Sequence, residues 1–174
     1  MRGQEIPKTV PEDMALTKAR FEKDYKTGEW AEDKLTDRLR LVYNEVDNFK
    51  TYNPYWDIHI IDIDKLIEVK YDKRSNTTDN FFIECNCAGV PSGINITKAE
   101  VWAHCTGQEF TFIPTVLLKE IASPYHVAKC FIDEKWVHGH LVPKSIIKEC
   151  GITLSIDECS DVNLVNALNQ YGSS

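Results

Sequence analysis

The spacing of hydrophobic residues along the chain predicts helices at the start and a region dominated by strands after them. Residues 11–26 carry apolar side chains at helical spacing and form the first predicted helix. A second helix is predicted from about residue 29 to about residue 48, with an apolar stripe toward the core and acidic residues away from it. It ends before a predicted loop at residues 52–54.

Residues 55–72 are rich in β-branched and aromatic side chains and are interrupted by turn-like residues at 62–65. This pattern predicts an antiparallel hairpin. The other predicted elements are strands at 81–87, 109–113, 129–132 and 136–142, and helices at 97–105, 115–122, 143–150 and 157–170. Thr97 is predicted to cap the helix at 97–105. With no internal repeat, low-complexity tract or linker in the sequence, we predict a single α/β domain over residues 1–174.

The composition and charge of the chain limit its size class, its location in the cell and its ability to bind phosphate groups. The chain has 174 residues, of which 43% are hydrophobic, enough for one domain with a substantial core. No stretch has the length and apolar character of a signal peptide or a membrane span, so we expect a cytoplasmic protein that does not bind membranes, with its six cysteines reduced. The net charge of −7 is unfavourable for binding phosphate groups, although Lys65, Lys70, Lys73 and Arg74 cluster in one short segment.

The predicted hairpin brings together residues that could carry chemistry. Side chains alternate along a strand, so Glu68 and Lys70 project from one face, and Asp57 at the start of the paired strand lies near Glu68. Two carboxylates suit Mg²⁺, which would activate a water molecule and neutralise charge on a phosphate, while Lys70 would hold or polarise the nucleophile. The alternative is an ordinary solvated strand face.

Several segments add a resemblance to a known family. They are Trp56-Asp57-Ile58, Leu66-Ile67-Glu68-Val69-Lys70-Tyr71-Asp72, Phe82-Ile83-Glu84, Pro91-Ser92-Gly93-Ile94, Thr97-Lys98-Ala99-Glu100 and Phe112-Ile113-Pro114-Thr115. Over about residues 28–122 the chain resembles the PD-(D/E)XK nuclease superfamily, and within it the small phage-type exonucleases. The resemblance implies a restriction-endonuclease-like core, with a central mixed β-sheet flanked by helices. The family's proline before the aspartate is Trp56 here.

The resemblance also implies roles for particular residues. Asp57, Glu68 and the backbone carbonyl of Val69 would bind Mg²⁺, for which Mn²⁺ can substitute, and Lys70 would be the catalytic lysine. Glu32, on the helix before the hairpin, is the candidate for a further catalytic acid, although a solvated helix-face glutamate fits its spacing equally well. Glu84 is a candidate for an additional acid.

Two groups of residues are predicted to bind the DNA backbone. Ser92, Thr97 and Lys98 would surround the N-terminus of the predicted helix at 97–105, where free N–H groups favour a phosphate. Lys73 and Arg74 follow the catalytic strand. The alternative for the first group is that Thr97 only caps the helix. The alternative for Lys73 and Arg74 is that they lie in an ordinary exposed loop.

The function expected from these features is a metal-dependent DNA exonuclease. A structure-selective endonuclease or junction resolvase would use the same site, and a protein of another class would be a non-catalytic DNA-binding or protein-binding module. Oligomeric state, a recombination partner and residence in a host cytoplasm, if the protein is viral, stay open. The cysteines lack the usual zinc-finger spacing. Tyr52, Tyr55, Trp56 and Trp102 could stack on unpaired bases, but aromatic residues pack in cores more commonly.

Overall fold

The computed structural model describes residues 28–51, 53–132, 134–157 and 161–170. The predicted helix at 11–26 lies outside these residues. In chain order the elements are α1 (28–39), β1 (Val46–Asn48), β2 (Ile58–Ile60), β3 (Lys65–Tyr71), α2 (Ser75–Thr78), β4 (Asn80–Cys87), β5 (Val90–Pro91), β6 (Val101–Cys105), β7 (Glu109–Pro114), α3 (Thr115–Ala122), β8 (Val127–Ile132), β9 (Lys135–Pro143), α4 (Lys144–Cys150), β10 (Ile152–Ser155) and α5 (Asp161–Asn169).

The protein has an α/β fold with a mixed central sheet and helices. The order of the six strands in this sheet is β1-β2-β3-β6-β7-β10. Strands β3 and β6 run parallel, and the other neighbouring pairs are antiparallel. A second, antiparallel sheet has the order β5-β4-β9-β8 and was not predicted as a separate sheet.

Two hydrophobic clusters cover the two faces of the central sheet. One contains buried residues of α1 and α5 together with Ile67, Val101 and Ala103. The other contains Trp102 and residues of the second sheet, α3 and α4. Because side chains alternate along β3 and β6, and Glu68 is paired with Trp102, the Glu68 and Lys70 side chains lie on the face of the second cluster.

The predicted hairpin is confirmed. Strands β2 and β3 are antiparallel with Ile58 opposite Ile67, and a 3-10 turn at Ile61–Ile63 connects them. Helix α3 has the predicted bounds, and β4, β7, β8, β9 and α4 agree with the predicted elements to within one or two residues. Helix α5 lies within the predicted range 157–170.

The predicted helix over 29–48 is wrong at its C-terminal end, because α1 stops at residue 39. Residues Val46–Asn48 pair with β2 instead. The carboxylate of Asp62 accepts hydrogen bonds from the backbone N–H groups of Asn44 at 2.7 Å and Glu45 at 3.0 Å. A distant side chain therefore satisfies donors that a continuing helix would have used internally.

The predicted helix at 97–105 is also wrong, since Val101–Cys105 form β6. All five residues of this strand are buried, and it is paired on both edges, with β3 and β7. A strand covered on both faces shows no alternation of polar and apolar residues, so its pattern is easily mistaken for a buried helix. Strand β10 was not predicted; it adds to the sheet beside β7. No helix in the described ranges has the length and apolar character needed to cross a membrane.

Candidate active site

A cavity of about 400 Å³ contains most of the residues that the sequence singled out. Its lining includes six of them: Glu32, Asp57, Glu68, Lys70, Glu84 and Ser92. They come from α1, the β2–β3 hairpin, β4 and the turn after β5. Residues more than 50 positions apart in the chain thus surround one space.

The hairpin fixes Asp57 against the backbone of β3. The Asp57 N–H donates to the Ile67 carbonyl at 2.9 Å, and the Val69 N–H donates to Asp57 Oδ2 at 2.7 Å. In a strand the N–H and carbonyl of one residue point to the same edge, so the Val69 carbonyl also points toward the Asp57 side. The expected placement of Asp57 near Glu68 is confirmed, because the Asp57 carboxylate bonds to the residue after Glu68 and both side chains line the cavity.

Glu68 and Lys70 form a tight ion pair. Lys70 Nζ lies 2.5 Å from Glu68 Oε1, and the side chain of Glu68 is only 6% exposed. Thr97 Oγ1 lies 3.3 Å from Glu68 Oε2. Lys70 Nζ also lies 5.7 Å from the ring centroid of Trp102, which is fully buried. Trp102 is therefore a core residue beneath the ion pair and is not available to stack on bases.

Two carboxyl groups of the cavity, those of Asp57 and Glu32, hold their protons more strongly than usual. Burial raises the pKa of Asp57 to about 6; the nearby Glu68 adds to this effect, while Lys70 and the Val69 N–H oppose it. Burial, and next the charge of Asp57, raise the pKa of Glu32 to about 7. A bound cation would favour the ionised forms that burial disfavours.

Lys70 remains protonated in this setting. Burial acts to lower its pKa, but the carboxylates of Glu68 and Asp57 outweigh burial and raise the pKa above its ordinary value. The Lys70 ammonium can therefore attract and orient an anion or a water molecule, but it is poorly suited to removing a proton from water at neutral pH.

Sequence reasoning missed Lys50, which also lines the cavity. Its Nζ lies 2.5 Å from Asp33 Oδ1 and 4.0 Å from Glu32 Oε2. No motif marks this lysine in the sequence. It reaches α1 because the chain turns back between α1 and β1, where the sequence had predicted that the helix continues.

The residues predicted to bind DNA have different positions. Lys73 and Arg74 are exposed in the turn between β3 and α2, outside the cavity. Ser92 lines the cavity, and its buried hydroxyl has no hydrogen-bond partner. Lys98 is exposed with its Nζ 4.6 Å from the ring centroid of Tyr55.

The predicted phosphate site at a helix N-terminus is wrong, because the residues after Thr97 lead into β6. Thr97 is buried, and its hydroxyl donates to the Tyr55 carbonyl at 2.8 Å. Its position beside Glu68 gives it a structural role within the site. A direct phosphate contact by Thr97 does not fit this burial.

The cavity contains a small number of groups that could bind Mg²⁺. Among the described residues, no three His, Cys, Asp or Glu side chains are grouped to hold a metal ion. Asp57 and Glu68 would thus need the Val69 carbonyl and water as further ligands, a set that suits Mg²⁺, which keeps several water ligands. The cysteines among the described residues are free thiols.

Comparisons of the chain with protein-family models, with curated proteins and with solved structures find no match.

Proposed function

We propose that this protein is a metal-dependent DNA nuclease with a restriction-endonuclease-like core, and that it acts as an exonuclease. The observation that carries the proposal is the convergence of Asp57, Glu68 and Lys70 on one cavity, with Glu32 from α1 facing the same space. The mixed α/β sheet and the resemblance of the sequence to PD-(D/E)XK nucleases support it.

Asp57, Glu68 and the Val69 carbonyl would hold Mg²⁺ or Mn²⁺. When bound, this ion would lower the pKa of a water molecule and offset the negative charge on the phosphate. Burial is the main reason that the pKa values of Asp57 and Glu32 are raised, and a cation at this position would offset that penalty by stabilising the ionised carboxylates.

Lys70 would orient the attacking water and stabilise the charge on the phosphate. Its ammonium is held by Glu68 at 2.5 Å, so its position is fixed before a substrate enters. The water oxygen forms a bond to phosphorus while the bond from phosphorus to the leaving sugar oxygen breaks. Glu32, which lines the same cavity, is the candidate to accept the proton of the water.

Two other functions would use the same features differently. A structure-selective endonuclease or junction resolvase would have the same cavity and differ in how the surrounding surface receives DNA. A non-catalytic DNA-binding or protein-binding module is the alternative from another class, and the net charge of −7 favours it. The complete set of Asp57, Glu68 and Lys70 favours catalysis.

The test is an assay on linear, closed circular and branched DNA with Mg²⁺ or Mn²⁺. We expect degradation of linear DNA only. Nicking of circles or cutting of junctions would assign the endonuclease function, and no cleavage with either metal would overturn the proposal of an enzyme.

Isosteric variants identify the site that is responsible. Glu68→Gln and Lys70→Met should each reduce the rate at least about 10²-fold, since the first weakens the binding of Mg²⁺ and the second removes the cation that stabilises the charge on the phosphate. Glu120→Gln, on the exposed side of α3, is the matched control and should retain the activity of the wild type. Thermal melts of all variants show whether a loss of activity is a loss of folding.

A further inference from the structure

The strands β8 and β9 form an antiparallel ribbon with exposed aromatic side chains. Phe131 is 60% exposed and Trp136 is 48% exposed. The two residues are paired across the strands, and their ring centroids lie 5.0 Å apart. Large aromatic side chains left this open to solvent commonly mark a binding surface.

Along the two strands, the same face of the ribbon carries a lysine and no carboxylate, and the acidic residue Glu134 lies in the turn that joins the strands. Lys129 Nζ lies 3.9 Å from the ring centroid of Trp136. Pairing across the strands places six side chains on this face, which we call the aromatic face: Val127, Lys129, Phe131, Trp136, His138 and His140. In a chain with a net charge of −7, a strand face that combines exposed aromatic rings with a lysine suits a ligand that has both flat aromatic groups and a negative charge.

The ribbon stands close to the proposed active site. Strand β9 is paired with β4, and its Gly139 lies opposite Glu84. Glu84 lines the cavity. The ribbon is therefore adjacent to the strand that contributes Glu84, whose side chain projects from the sheet face opposite to the aromatic face.

We propose that the aromatic face binds an unpaired DNA strand, with Phe131 and Trp136 stacking on bases and Lys129 contacting a phosphate. This inference rests on the proposed nuclease function for the identity of its ligand. Only an unpaired strand offers free base faces, since the bases of a duplex are already stacked on one another. The three exposed apolar side chains of this face are too few for a protein interface of standard size, which buries about 800 Å² on each partner.

The test measures binding of a fluorescent fifteen-residue oligothymidylate by anisotropy, with EDTA present so that cleavage does not interfere. Trp136→Ala and Phe131→Ala should each weaken binding about ten-fold or more, the effect expected for loss of one stacked base. Trp136→Phe keeps an aromatic ring and should bind within about three-fold of the wild type. Val162→Ala removes an exposed apolar side chain from α5 and should change nothing.

Tryptophan fluorescence provides a readout that a merely structural role would not produce. A base stacked on Trp136 should quench its emission, so oligothymidylate should quench the wild type more than Trp136→Phe, even though both proteins bind. Unchanged affinity in Trp136→Ala would overturn the proposal. A dimer of the wild type in sedimentation that Trp136→Ala converts to a monomer would overturn it too, by making this face a contact between copies.

Failure of this inference is distinguishable from failure of the proposed function. Binding of the oligonucleotide that depends on Trp136, combined with no cleavage in Mg²⁺ or Mn²⁺, would uphold the aromatic face and overturn the nuclease. Cleavage that depends on Glu68, combined with oligonucleotide binding indifferent to Trp136 and Phe131, would do the reverse.

Discussion

Asp57 and Glu32 make the stability of the metal-free protein depend on pH. Their ordinary pKa values are 3.8 and 4.5, and the fold raises them to about 6 and about 7. Between the ordinary and the raised pKa values, the folded protein therefore keeps a proton on each of these carboxyl groups, whereas the unfolded chain has released both. Their stabilising effect is full below about pH 4 and is lost as the pH rises toward 7, by about 1–3 kcal/mol for each group.

A divalent cation should reverse this loss, so we predict that 10 mM Mg²⁺ raises Tm more at pH 8 than at pH 6. At pH 6 protons still occupy part of Asp57 and Glu32, whereas at pH 8 both groups are ionised, so that Asp57 can bind the ion and the charge of Glu32 attracts it. Thermal melts with and without Mg²⁺ at the two pH values provide the measurement. Asp57→Asn should reduce the Mg²⁺ effect at both, and an equal Tm shift at pH 6 and pH 8 would contradict the prediction.

His104 should affect stability in the opposite direction. It is fully buried, neither ring nitrogen has a hydrogen-bond partner, and its ring is stacked on Phe81. Burial, and next the charge of Lys70, lower its pKa from 6.5 to about 3. The unfolded chain therefore binds a proton below pH 6.5 that the folded protein refuses, and stability is lost as the pH falls from 6.5 toward 3.

His104→Leu removes this proton uptake, so its stability relative to the wild type should improve as the pH falls. The improvement should approach about 1.4 kcal/mol for each pH unit between 6.5 and 4, whatever the packing cost at neutral pH. Denaturant unfolding at pH 7, 6 and 5 measures it. Ile113→Val, a buried change in the same cluster without a titratable group, should show a constant difference. A constant difference for His104→Leu would refute the prediction.

Individual site residues could be predicted from the sequence to the extent that local geometry determines them. Glu68 and Lys70 share a face because side chains alternate along any strand, and Asp57 follows from the hairpin turn. Lys50 could not be predicted, because it reaches Glu32 only through the turn between α1 and β1. The burial of Thr97 also depends on contacts made at a distance, with Tyr55 and Glu68.

At the scale of elements, the turn after β5 fixes one wall of the cavity. Gly93 has φ +51°, and a Cβ atom there would lie 2.5 Å from the Glu84 carbonyl oxygen. The side-chain amide of Asn95 donates to the Cys85 carbonyl at 2.8 Å, where the pairing of β4 shifts register. The turn is thus fitted closely against the strand that carries Glu84.

Gly93→Ala should therefore destabilise the fold by more than backbone strain alone. Gly89 also has a positive φ, of +84°, but an added Cβ would meet nothing within 4 Å. Gly89→Ala should lower the free energy of unfolding by about 1 kcal/mol, and Gly93→Ala by about 2–4 kcal/mol, because a backbone atom must move. Denaturant unfolding compares the two, and equal losses would show that the contact with Glu84 is unimportant.

Elements were predictable where one face is polar and the other buried. The bounds of α3 and the β2–β3 hairpin follow from such patterns. Strand β6 fails this condition, since Val101, Ala103 and Cys105 belong to one hydrophobic cluster and Trp102 to the other. Its mostly apolar residues, which follow Thr97 at a distance of four positions, resemble the continuation of a capped helix. Only the pairing with β3 and β7 distinguishes the strand from a helix.

At the scale of the whole molecule, an acidic protein must bind DNA through local groups of cations. The net charge of −7 repels phosphate at a distance, and this repulsion is screened by salt. Lys73 and Arg74 are exposed in one turn that directly follows the strand of Glu68 and Lys70. The backbone carbonyl of Arg74 accepts bonds from Thr77 and Thr78, which an alanine substitution would retain.

If this turn contacts the backbone of duplex DNA, replacing both side chains should change the salt dependence of binding. The slope of log K against log salt should fall by about 1.8 in Lys73→Ala/Arg74→Ala, since each phosphate contact contributes about 0.9. Affinities for a short duplex between 50 and 200 mM salt, measured in EDTA, determine the slope. Lys119→Ala, an exposed lysine on α3, should leave it unchanged. An unchanged slope in the double variant would show that DNA binds elsewhere. Because the cavity is separate from this turn, the rate of cleavage at saturating DNA should be the same in the wild type, the double variant and Lys119→Ala.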